Sequence, residues 1–168
     1  MLALPLLGAA LLAGCAPEPE PAPTPTAAFA SEEEAFAAAE EVYRAYLDAF
    51  NEITFEDPSS FQLLEKFTSG DYQSDERKQL SEMHAAGYVR GGRILIVDFR
   101  GTAYESTYGV SATTCNDVSM TTFIDAEGND LVPADRPDRY ALELQFVGGA
   151  DSLKLSSAIA VEDATCTE

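Results

Sequence analysis

A chain of 168 residues has room for one domain and a tail, and not comfortably for two. Its apolar share of 46% and charged share of 23% are ordinary for a folded soluble protein, but 29 acidic against 10 basic side chains leave a net charge of −19. Such a surface repels phosphate backbones and anionic headgroups, which argues against nucleic-acid binding and electrostatic docking on a membrane, and for cationic partners if for any. A generic acidic, solubilising surface accounts for the charge without a dedicated metal site. Lysine is confined to Lys66, Lys78 and Lys154, and with the many alanines this is the composition of a GC-rich genome.

The first fifteen residues, MLALPLLGAALLAGC, are an uncharged apolar run followed, after Ala16, by Pro17 and Glu18. A membrane-spanning helix needs about 20 apolar residues, whereas a signal-peptide core needs roughly 7–15. Leu12-Ala13-Gly14-Cys15 resembles the lipobox of bacterial lipoproteins. That resemblance implies cleavage by signal peptidase II between Gly14 and Cys15, with diacylglycerol on the Cys15 thiol. Residues 1–14 are then the signal peptide. No Lys or Arg precedes Cys15, so the expected start codon lies upstream of Met1. Two acyl chains suffice for stable anchoring, each buried methylene contributing about 0.8 kcal/mol.

Residues 15–30 continue as the lipidated Cys and a Pro-rich tether, APEPEPAPTPTAAFA after Cys15. Alternating Pro favours polyproline II, which rises about 3.1 Å per residue and buries nothing.

From Ser31 to Glu168 the pattern is that of one globular domain. Ser31 before Glu32, Glu33 and Glu34 is an N-cap with acids in the first turn. Phe36, Ala39, Tyr43, Tyr46, Leu47 and Phe50 recur at helical spacing, predicting a helix to about Asn51. Asp57-Pro58-Ser59 caps a second, shorter helix carrying Phe61, Leu64 and Phe67 and ending near Ser69-Gly70. Ser74-Asp75 opens a third, through Leu80 and Met83, closing around Gly87.

After Gly91-Gly92 the period changes to that of strands. Arg93–Ala103 is the first and Gly109–Ile124 the second, with Val110, Ala112, Val118, Met120 and Ile124 on one parity. Asp125–Asn129 is a turn, prolonged by Pro133–Pro137. Tyr140, Leu142, Leu144 and Phe146 alternate with polar neighbours in a third strand. Leu153, Leu155, Ile159 and Val161 are the expected inner face of a last one. The predicted fold class is therefore α+β, three N-terminal helices packed on a curved antiparallel sheet of about four strands.

With that element order, the run Cys115-Asn116-Asp117-Val118-Ser119, then Asp125-Ala126-Glu127-Gly128, then Arg136-Pro137 and a late Cys166, resembles actinobacterial lipoproteins. Their domain is similar to the cone-shaped nuclear transport factor 2-like (cystatin-like) fold. Leu153 stands where such domains commonly carry an aromatic residue.

With Cys15 lipidated, Cys115 and Cys166 form an even pair in an oxidising compartment, the pattern of a disulfide. If Cys115 lies early in a long second strand of a strict meander, Cys166 leaves the sheet at the opposite end. The bond then requires a folded-back tail or another strand order.

Relatives of this fold class include isomerases and cyclases with an Asp or His base and Tyr donors in a cavity. Tyr43, Tyr46, Leu47, Phe50 and Asp98 are the candidate cavity residues here. Asp98, alternating with Ile96 and Arg100, is nonetheless better explained by pairing near Arg100 at the sheet surface, and the two tyrosines as core with a hydroxyl reaching an edge. The lone His84, on a helix, is better explained as a surface or packing residue than as a base. Asp125–Asp130 departs from a calcium-binding loop in the place of its Gly and is expected to be a turn. No catalytic residue, metal ligand set or cofactor motif is identified. The expected protein is a lipid-anchored domain on the outer face of the cytoplasmic membrane, held by the diacylglyceryl group on Cys15. It would bind an envelope protein or a small apolar ligand without catalysis. The alternative is a cavity enzyme of ketosteroid-isomerase or polyketide-cyclase type.

Overall fold

In a computed structural model of the protein, residues 28–105, 109–163, 165 and 166 are described. The signal segment, its Leu12-Ala13-Gly14-Cys15 motif and most of the tether lie outside them. Residues 28–30, expected in the tether, belong to the fold. Phe29 is buried edge-on against Tyr104, and its backbone N–H donates to the Tyr104 hydroxyl at 3.1 Å.

Helix α1, Glu32–Glu52, starts as its sequence dictates: the Ser31 hydroxyl accepts from Glu34 N–H, and the Glu34 carboxylate accepts from Ala30 N–H. Its buried stripe is Ala35, Ala39, Tyr43, Tyr46 and Leu47. Asn51 fastens its end, exchanging two 2.9 Å hydrogen bonds with the backbone of Ile94. Among the described residues, no helix is long and apolar enough to cross a membrane.

The helices that follow differ from expectation. Asp57 caps only a short 3-10 helix, Pro58–Leu63. The next helix, α2, spans Gly70–Ala85, so Ser69-Gly70 opens a helix instead of closing one. The reason is tertiary. Phe67–Ser69 is drawn into the sheet, Leu155 N–H donating to Phe67 C=O and Ser69 N–H to Leu155 C=O. Gly70, at φ 62°, then turns the chain into the helix, a conformation glycine adopts without penalty. Gly87 ends it in the left-handed conformation, with Tyr88 N–H on Met83 C=O.

Among the described residues six strands follow: β1 (Val89–Gly91), β2 (Leu95–Glu105), β3 (Gly109–Asp117), β4 (Thr122–Ile124), β5 (Arg139–Val147) and β6 (Lys154–Val161). Four form a curved antiparallel sheet in the order β2-β3-β5-β6, and β1 pairs with β4 in a separate antiparallel ribbon. The predicted strand Gly109–Ile124 is thus two strands. Asp117 breaks it, its carboxylate accepting from the backbone and hydroxyl of Ser119, while Val118 N–H turns away to Asp138 C=O.

On the face toward α1, β3 presents Val110, Ala112, Thr114 and Asn116, and β5 presents Leu142, Leu144 and Phe146. Gly101 of β2 lies directly beneath the Phe36 ring, which occupies the place of a side chain. Irregularities reset the alternation. β2 shifts register around Val97 and again at Thr102, and β6 around Ser156. After Ser156 the inner residue opposite Leu144 is Ala158, while Ile159 and Val161 face outward with Glu143 and Ala141. The expected inner positions of Ile159 and Val161 are corrected by this bulge, and Ile159 is 61% exposed.

Cys115 and Cys166 are disulfide-bonded. Because β3 stops at Asp117, Cys115 is near its end, level with Ala141 on β5 and, one strand further, with Val161 on β6. The tail leaving β6 needs only to cross the outer face of β5, so the ends of the sheet do not conflict. It buries Ala141 and both cysteines in a small second core beside Val161.

Candidate functional site

Among the described residues, nothing covers the whole inner face of the sheet. Between α2, the end of α1, the β1–β4 ribbon and the second half of β6 lies a cleft of about 860 Å³. Tyr46, Phe50 and Phe55 line one wall. Tyr72, Glu76, Leu80 and Met83, on one face of α2, line another. Phe123, Leu131, Val132, Leu142 and Ala158 close the far side. The size and the mainly apolar wall suit a small organic molecule.

Its polar interior centres on Glu76. The Tyr46 hydroxyl donates to Glu76 Oε1 at 2.6 Å and lies 3.2 Å from the Tyr72 hydroxyl, while Thr68 Oγ1 reaches Glu76 Oε2 at 3.4 Å. Burial raises the Glu76 pKa above the usual carboxylate range, against the hydrogen bonds from Tyr46 and Thr68, which lower it. Tyr72 is pushed up to about 12, chiefly by burial, and Tyr46 is raised well above its ordinary value for the same reason, with Tyr72 and Glu76 adding to it. Burial thus shifts all three toward their protonated forms relative to the same groups in water. Behind them Tyr43 stacks on Tyr46, and its hydroxyl accepts from Asn116 Nδ2 at 2.7 Å. Tyr140 hydrogen-bonds the same Asn116, whose side chain is buried.

Two arginines border the cleft, and both serve the scaffold. Arg90 Nη2 donates to Phe50 C=O at 2.6 Å and to Ile53 C=O at 3.4 Å, closing the carbonyl end of α1, with its guanidinium over the Phe50 ring. Arg136 donates to Thr121 Oγ1 and to the Val118 carbonyl, bracing the turn that takes the chain from β3 to β4.

Of the expected cavity residues, Tyr46 and Phe50 line the cleft and Tyr43 lies one layer behind. Leu47 is buried on the opposite flank of α1, beside a shallow depression with Asn51 and Ile96. Asp98 is not a cavity residue: it stands on the outer face of β2, exposed, 3.3 Å from Arg100 Nη2, as its surface reading expects. The β2 bulge puts Ile96 and Phe99 inward and leaves Asp98 outside between them. His84 is exposed, its Nδ1 2.7 Å from Phe55 C=O, and is not among the cleft residues. Asp125 closes its turn on the backbone of Glu127 and Asn129, and among the described residues no group of acids, His and Cys could hold a metal.

Glu76, Tyr72, Arg90 and Asn116 were not anticipated. Tyr72, Glu76, Leu80 and Met83 are spaced four, four and three along one helix face, a signal visible once the helix begins at Ser69 instead of Ser74. Asn116 shares the parity of Val110 and Ala112, and an amide there is a buried polar group needing partners.

No protein-family model matches the chain, and no curated protein is significantly similar to it. Its fold is similar to the crystal structure of the intermembrane space region of the chloroplast protein ARC6, with a TM-score of 0.53 and 12% identity over 76% of this chain and 97% of that one. A putative aromatic ring hydroxylase from Novosphingobium aromaticivorans gives a TM-score of 0.47 and 14% identity over 78% of this chain and 92% of that one. At 12% identity the likeness to the ARC6 region concerns the fold alone.

Proposed function

We propose that the protein is a lipid-anchored extracytoplasmic binding domain, related to actinobacterial lipoproteins with a cone-shaped, nuclear transport factor 2-like domain. Its cleft takes a small, mainly apolar ligand without transforming it. The observation that carries this is the open cleft of about 860 Å³, walled by Phe50, Phe55, Phe123 and Leu142. The lipobox-like Leu12-Ala13-Gly14-Cys15 supports anchorage on the outer face of the cytoplasmic membrane, and the Cys115–Cys166 bond is in keeping with an oxidising compartment. The net charge of −19 disfavours nucleic acid as a ligand.

The test is uptake of a neutral apolar dye such as N-phenyl-1-naphthylamine by the purified chain. Its fluorescence should rise on binding, and Ala158→Trp, which fills the cleft from β6, should abolish the rise. Unchanged dye binding in that variant would overturn the reading. Anchorage is read separately, as incorporation of a fatty-acid label that Cys15→Ser removes.

One observation favours a second reading, a cavity enzyme of isomerase or cyclase type: Glu76 stands in an apolar cleft beside two tyrosine hydroxyls. Conversion of a small β,γ-unsaturated ketone to its conjugated isomer, lost in Glu76→Gln, would place this reading ahead.

A further inference from the structure

Resting on the binding function proposed above, we infer that the cleft selects organic cations: an ammonium group on an apolar body, its charge at the Glu76 carboxylate beside Tyr46 and Tyr72. The charges of the cleft are not equivalent. Its basic groups are anchored to the scaffold. Arg90 holds the Phe50 and Ile53 carbonyls through Nη2, and its Nε and Nη1, which have no hydrogen-bond partner, are shielded from solvent. Arg136 holds Val118 and Thr121. An anionic headgroup would reach Arg90 Nη2 or Arg136 only by breaking these bonds, and Arg90 Nε and Nη1 only by displacing the groups that cover them.

The acidic side is free. Glu76 receives only hydroxyl donors, and Asp71 and Asp75, at the exposed rim of the cleft, have no cationic partner among the described residues. A half-buried carboxylate without a cation is an electrostatic cost that an ammonium would remove. The Tyr72 ring, on the cleft wall, offers further negative surface to a cation. At longer range the net charge of −19 concentrates cations around the domain and repels anions. The apolar body then lies against Phe55, Met83 and Leu142.

The experiment compares three probes with one body: 4-phenylbutylamine, 4-phenylbutanol and 4-phenylbutyrate, titrated calorimetrically into the purified chain at pH 7. The amine is expected to bind at least tenfold more tightly than the alcohol, and the carboxylate more weakly than either. Glu76→Gln should bring the amine down to the affinity of the alcohol. Asp71→Asn with Asp75→Asn, both exposed at the rim, should weaken the amine severalfold and flatten its salt dependence, with a much smaller effect on the alcohol. An alcohol or carboxylate bound as tightly as the amine would overturn cation selection and leave the binding function standing. Amine affinity unchanged in both the Glu76 variant and the Asp pair would do the same. Binding of none of the three would overturn both.

Discussion

Removing the disulfide, by Cys115→Ala with Cys166→Ala, probes how the sheet is closed. The bond joins residues 51 positions apart. In the chain-entropy model a loop of that size restricts the unfolded chain by about 4 kcal/mol. For a domain of this size each kcal/mol moves the melting temperature by about 3–5 °C, so the variant should melt about 12–20 °C lower. The structure adds a local consequence. Ala141, Val161 and the cysteines form the small core on the outer face of β5, covered by the tail. Without the bond, the described part of that tail is held by a turn, Cys166 N–H on Asp163 C=O and Thr165 on the Asp163 carboxylate. Urea unfolding followed by tyrosine fluorescence, there being no Trp, gives the free energy directly. The slope with urea should rise as well, because the unfolded chain without its cross-link exposes more surface. A loss below about 1 kcal/mol with an unchanged slope would refute the loop-closure account.

Other outcomes follow from particular contacts. Tyr43→Phe removes an acceptor from the buried Asn116 amide and should cost about 1–3 kcal/mol by the same unfolding assay, without altering the cleft wall. Gly101→Ala places a methyl group in the Phe36 ring and should destabilise by about 1–3 kcal/mol; Phe36→Leu in the same chain should recover part of that, a coupling a double-mutant cycle measures. The Glu76 carboxyl has its pKa raised in the fold, chiefly by burial. Its stabilising contribution is therefore complete at pH below the unfolded Glu range and is lost as pH rises through the raised value. Melting curves of Glu76→Gln against the parent should show the variant gaining relative stability from acid to neutral pH, and a constant difference would contradict this. Asp57, Asp117, Asp125 and Asp163 act oppositely, their pKa values lowered first by hydroxyl or amide side chains, so their contributions are present above the ordinary Asp range and disappear on acidification.

The cleft exists because the polypeptide withdraws from the sheet in two places. Asp117 and Ser119 end β3 early and send the chain out to pair β4 with β1, which raises Phe123 and Arg136 beside the end of α1. The capture of Phe67–Ser69 by Leu155 sets the start of α2, which directs Tyr72 and Glu76 toward Tyr46. Neither the ribbon nor the helix fills the space between them, and the small inner side chain of Ala158 leaves it open from the sheet side.

Local signals were enough for what local interactions decide. The cap at Ser31 and the stripe from Ala39 to Leu47 define α1, because a helix contains its own hydrogen bonds and needs only one apolar face. The alternation through β5, and the turn at Asp125, were equally legible, each resting on neighbours within a few residues. The pairing of Cys115 with Cys166 could be expected from their number, but its geometry could not. What remained belongs to contacts between distant segments. A bulge at Ser156 reverses the inner and outer faces of β6, so that Ile159 turns out to solvent, and a register shift at Val97 does the same for Asp98. Glu76 meets Tyr46 across 30 residues, and Asn116 meets Tyr43 across 73. The period of two in a strand is blind to a single inserted residue, and a carboxylate on a helix does not announce which hydroxyl will reach it. Those positions were decided only when the sheet, α1 and α2 came together.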